Sequence, residues 1–241
     1  MSPWASSGRF ETLGASHLAV WGLFVMGVVL MVLLGRRVRG TERAVAVSRL
    51  FALSIPALLV PLQVVDLLPG NYDVHTTLPV QLCDLAWIAA AVALWTGHRV
   101  PVALVYYWGL LLTPQALLTP TLGADFPDPR FLAFWGIHLM IVWAAVYLTW
   151  GLGLRPTWRG YASTVAITLV WLVSVFAFNE LAGTNYGYVN DKPGTATILD
   201  YLGPWPWYVA VEIALVAIVW ALMTLPWQSG HPADREAVRT R

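Results

Sequence analysis

Seven runs of apolar residues, each close to the length that crosses a bilayer, dominate this chain. They cover roughly residues 15–34, 45–68, 78–96, 100–119, 131–150, 161–182 and 205–226. A membrane-spanning helix needs about 20 predominantly apolar residues. In hydrocarbon the backbone must satisfy its own polar groups, so runs of this length span as helices. The pattern predicts an all-α polytopic membrane protein with seven transmembrane helices, in a single transmembrane domain over residues 1–241. The charge content agrees, since only 11% of the 241 residues are charged, against roughly 25% in a soluble domain. A net charge of +1 leaves no basic surface for nucleic acid. The first run does not read as a cleaved signal peptide, because its basic cluster follows the apolar stretch instead of preceding it.

Basic residues mark cytoplasmic loops. Arg36, Arg37, Arg39 and Arg43 follow the first run, Arg99 follows the third, and Arg155 and Arg159 follow the fifth. Arg235, Arg239 and Arg241 lie in the C-terminal tail. Alternate loops fall on one side of a seven-span protein, which predicts an outside N-terminus and a cytoplasmic C-terminus. The other side carries Arg9, Arg130 and Lys192 among a larger number of acids.

This orientation assigns a depth to each polar group. His17, Gln63, Asp66, Cys83, Asp84, Gln115, His138, Asn179, Glu180 and Glu212 all fall in the outer halves of the spans. An ionisable side chain at mid-bilayer costs roughly 2.5–3.5 kcal/mol on insertion scales. A layer of such groups on one side therefore predicts a polar cavity opening outward. Helix ends tolerate polar groups, so His17, Asp66 and Glu180 are equally readable as interfacial.

Cys83 is the only cysteine. It cannot form an internal disulfide, and one thiol with one histidine makes a poor metal site. No metal or cofactor is therefore expected. A thiol can be a nucleophile when a base lies beside it, and His138 is the candidate base. Attack on an ester carbonyl would give an acyl-thioester, and the imidazole would then deprotonate water or an alcohol. Taken singly, a buried cysteine is more often a small core residue, so the reading depends on the two side chains meeting. Pro79 suits the first turn of the third helix, and Asp128–Pro129 suits the cap and first position of the fifth.

Asp84 lies about 100° round the helix from Cys83 and does not share its face. Asp84, Glu180 and Glu212 are the acids that could support the imidazole. Gln81, Gln115, Asn185 and Tyr186 complete the set of supporting or substrate-binding candidates. G-T-N-Y-G-Y at 183–188 and D-K-P-G at 191–194 form a long outer loop of the kind that covers a site. Trp205, Trp207 and Tyr208 suit a headgroup layer, while Tyr106, Tyr107 and Trp108 read as packing residues.

Five motifs act together: L-P-V-Q-L-C-D (78–84), Q-A-L-L-T-P (115–120), P-R-F-L-A-F-W-G-I-H (129–138), G-T-N-Y-G-Y with K-P (183–193) and L-G-P-W-P-W-Y (202–208). From about residue 70 to 226 the chain resembles the bacterial YwaF-type integral membrane proteins. That family is related to a eukaryotic transmembrane acyltransferase of ether phospholipids. More distantly, it is related to the androgen-induced-gene-type hydrolases of fatty-acid esters. The resemblance implies that Cys83 occupies the nucleophile position and His138 that of its partner. The distant hydrolases have threonine at the nucleophile position, which favours the acyltransferase branch. Gln81 stands where many members have histidine.

The expectation is an intramembrane lipid acyltransferase or transacylase of a bacterial plasma membrane, acting on a phospholipid or lysophospholipid. A lipid ester hydrolase using the same site is the first alternative. A non-enzymatic transporter or lipid-binding protein is the second.

Overall fold

The structure is a computed structural model that describes residues 10–120, 122–194 and 198–228. All regular secondary structure among the described residues is helical. The principal helices are α1 (Ala15–Val38), α2 (Arg43–Leu67), α3 (Leu82–Thr96), α4 (Arg99–Leu118), α5 (Pro129–Gly151), α6 (Trp158–Ala182) and α7 (Trp207–Trp227). Six of them are long and apolar enough to cross a membrane, which makes this an integral membrane protein.

The exception is α3, with 15 residues. At 1.5 Å per residue it extends about 22 Å, short of a hydrocarbon core of roughly 30 Å. The expected start at Pro79 is therefore corrected to Leu82. Gln81 is the N-cap in an extended conformation, and the Asp84 carboxylate accepts its N–H at 3.0 Å. Residues 68–81 pack as turns above the helix, where Gln63 Nε2 donates to Thr77 O at 2.7 Å. The start of α5 is as expected. Asp128 caps it by accepting the Arg130 N–H, and Pro129 is the first residue.

The core lies where α2, α3, α4 and α5 meet, around Ile55, Ala90, Ala93, Val105, Ile141 and Ala144. The alanines of α3 allow close approach of neighbouring backbones, as small residues do in membrane bundles. Two glycines do the same for α1 and α5: a Cβ added to Gly35 would lie 2.5 Å from Gly151 Cα. Outward-facing Met26, Leu33, Leu50, Leu53, Val170 and Val173 remain exposed, as an apolar surface for lipid would be.

His17 is a structural residue, buried against Trp135. Its Nδ1 accepts the Leu13 N–H at 2.9 Å, and its Nε2 lies 3.0 Å from Leu117 O. It ties the start of α1 to the end of α4 and takes no part in a polar cavity.

Both α4 and α5 contain a π-helical turn, at Trp108–Leu112 and Tyr147–Gly151. Such turns insert a residue into the helical repeat and re-aim the side chains beyond it, often at functional sites.

Candidate functional site

The first turn of α3 places Cys83 one residue inside the helix, and the α5 repeat places His138 on an inward face. Both side chains line one cavity of about 250 Å³. The cavity lies near the N-terminal ends of α3 and α7 and the C-terminal parts of α4 and α6. The arginine-bearing loops join the opposite ends of these helices.

His138 Nδ1 lies 2.6 Å from the carbonyl oxygen of Phe134, one turn back on α5. A carbonyl can only accept, so Nδ1 carries the hydrogen, and the Nε2 lone pair has no partner among the described residues. The imidazole also packs on the Phe134 ring, with centroids 4.5 Å apart. Ring orientation and tautomer are thus set by a backbone group on the same helix, with no acid bonded to the ring among the described residues.

The other expected residues divide into two groups. Gln81, Gln115 and Glu212 line the cavity. No hydrogen bond or ion pair reaches the Glu212 side chain from the described residues. Asp84, Glu180, Asn185 and Tyr186 do not line it. Asp84 caps α3, and Glu180 accepts Asn190 Nδ2 at 2.6 Å on the exposed side of the loop. Asn185 Nδ2 donates to Asp191 O at 2.8 Å, while its Oδ1 accepts the N–H groups of Asn190 and Asp191. Tyr186 is fully buried; its hydroxyl donates to Val74 O at 2.7 Å and accepts the Leu78 N–H at 3.0 Å. Burial pushes its phenol up from the ordinary range, so it stays a donor. Glu180, Asn185 and Tyr186 build the loop over the cavity, and Asp84 caps the helix beside it.

That loop is folded by the buried side chain of Asn179. Its Nδ2 donates to Tyr186 O and Asn190 Oδ1, and its Oδ1 accepts from Thr184 and from the Tyr186 N–H. Gly187 then reaches the cavity with φ +68°, where a side chain would meet the Trp171 ring at 2.7 Å. Tyr208 donates its hydroxyl to Tyr188 O and is fully buried, so it anchors the loop instead of facing headgroups. Trp205 and Trp207 are exposed, as expected of an interfacial pair.

Sequence reading missed Thr168, Trp171 and Tyr188 as lining residues; Trp108, read as packing, is buried in the core as expected and also borders the cavity. Trp108 Nε1 donates to Thr168 Oγ1 at 2.9 Å, and Trp171 Nε1 donates to Val80 O at 3.0 Å. Trp171 carried no signal beyond its aromatic character. Among the described residues no three His, Cys, Asp or Glu side chains converge as a metal site.

The family model of the TMEM164 family matches residues 12–224. No curated protein and no solved structure matches the chain.

Proposed function

Because the chain belongs to the TMEM164 family, a family of membrane proteins, we propose that it is an intramembrane lipid acyltransferase with Cys83 as nucleophile and His138 as base. The observation that carries this reading is the shared cavity, lined by the only thiol and by an imidazole whose Nε2 has no partner among the described residues.

In the proposed reaction His138 Nε2 takes the thiol proton as Cys83 Sγ attacks the ester carbonyl carbon of a lipid. The tetrahedral intermediate collapses with cleavage of the ester C–O bond. The imidazolium returns its proton to the departing alkoxide, leaving a lyso-lipid and an acyl-thioester on Cys83. A second lipid hydroxyl enters and gives its proton to Nε2. Its oxygen attacks the thioester, the C–S bond breaks, and the thiolate recovers the proton. The aromatic walls from Trp108 and Trp171 suit an acyl chain, and the amides of Gln81 and Gln115 suit its polar end.

The arginine distribution supports an outside N-terminus with α3 as a seventh, recessed element of the membrane domain. In a bacterial plasma membrane the cavity then faces the outer leaflet. Its acyl donor is a phospholipid there, not a cytosolic thioester. Transport is less well supported, because Ala90, Ala93, Val105, Ile141 and Ala144 pack tightly in the bundle core.

The test is acyl transfer by purified protein from labelled diacyl phospholipid to lyso-lipid. Transfer that disappears in Cys83→Ala supports the reading. Release of free fatty acid alone, unchanged by acceptor, would assign the site to a hydrolase. Full activity of Cys83→Ala would end both.

A further inference from the structure

Attack on an ester places negative charge on the former carbonyl oxygen, and that charge needs donors already in position. Gln81 lines the cavity two residues before Cys83. Its Oε1 accepts the Gly187 N–H at 2.9 Å. A backbone N–H can only donate, so this bond identifies the oxygen and leaves Nε2 on the other side of the amide. No acceptor for that NH₂ group exists among the described residues. The N–H of Cys83 lies in the first turn of α3, where helix N–H groups have no intrahelical acceptor. The same end carries the positive pole of the helix.

We infer that the Gln81 side-chain amide, together with the Cys83 backbone N–H, forms the oxyanion hole of this site. The inference rests on the reading of Cys83 as acyl acceptor. When Sγ bonds to the carbonyl carbon, the C=O π pair moves onto oxygen, and Gln81 Nε2 donates to it. The pair returns as the ester C–O bond breaks. The Gly187 bond makes the amide rigid, so the covering loop sets the angle of the donor. Gln81 Nε2 would be a catalytic group, since it contacts a reacting atom. Glu212 has no such tether.

Two reactions of Cys83 separate this role from others. Alkylation by iodoacetamide develops no oxyanion, whereas acylation by a long-chain p-nitrophenyl ester does. Gln81→Glu keeps an acceptor for Gly187 but loses the amide donor; Gln81→Met loses both. In both variants, Cys83 alkylation should stay within about two-fold of the parent while acylation slows by about 10²–10³-fold, the usual effect of losing one such donor. Acylation at the parent rate in Gln81→Glu, with only Gln81→Met impaired, would make Gln81 a loop latch and overturn the inference. Equal loss of alkylation and acylation would also overturn it, as a general change in access. If the parent protein is alkylated but never acylated at Cys83, the proposed nucleophile itself fails and the oxyanion hole falls with it.

Discussion

The Nδ1 of His138 is held 2.6 Å from the carbonyl oxygen of Phe134, four residues earlier on the same helix. In many nucleophile–base sites a carboxylate orients the imidazole. Here a main-chain carbonyl does so, which fixes the neutral tautomer without placing a second charge in a membrane interior. The arrangement makes the orientation of the proposed base dependent on α5 alone.

Replacing His138 with Gln should therefore cost about 10²–10⁴-fold in acyl transfer, the range for general base removal. Initial rates of lipid product formation at matched protein amounts measure it. The cavity-lining position predicts little loss of folded protein in detergent.

Glu180 should be dispensable. It is exposed and bonded to Asn190 outside the cavity. Glu180→Ala should change stability by about 0.5 kcal/mol or less, as surface substitutions usually do, and leave the transfer rate near that of the parent. A drop comparable to that of His138→Gln would mean that an acid supports the imidazole after all.

Tyr186→Phe should lower stability by about 1 kcal/mol, because it removes two hydrogen bonds to the half-buried Val74 carbonyl and Leu78 N–H. A thermal melt in detergent reads the loss. Since Tyr186 joins the covering loop to the turn before α3, acyl transfer should fall as well, with Cys83 still present for alkylation.

The contact of α1 with α5 gives a separate test. A Cβ on Gly35 would lie 2.5 Å from the Gly151 backbone, so Gly35→Ala should destabilise by about 1–3 kcal/mol and Gly35→Leu by more. Melting temperature and the yield of folded protein after extraction measure this. A neutral Gly35→Leu would contradict the described packing.

Helix positions were legible in the sequence because lipid imposes length and apolarity on each span. The expected 131–150 and observed Pro129–Gly151 differ by two residues or fewer at either end. Residue type and motif singled out Cys83 and His138, but their depths along their helices did not match, and whether they meet was not legible; both line one cavity, with no hydrogen bond between them among the described residues. The start of α3 was not legible either. Pro79 fits a first turn locally, but the Gln81–Asp84 cap and the packed turns before it begin the helix at Leu82. The roles of Tyr186 and Tyr208 were hidden because their partners are backbone carbonyls 112 and 20 residues away. The packing of Trp108 was legible, but its place beside the cavity was not, because its partner Thr168 is 60 residues away.

The central claim is a covalent acyl group on Cys83. Incubating the protein with a defined diacyl phospholipid and no acceptor, then weighing the Cys83 peptide, tests it most directly. The account predicts a mass increase of one acyl chain, released by hydroxylamine and absent from Cys83→Ala. An unmodified Cys83 peptide, in a preparation that still transfers acyl chains when acceptor is added and does so equally well as Cys83→Ala, would contradict it.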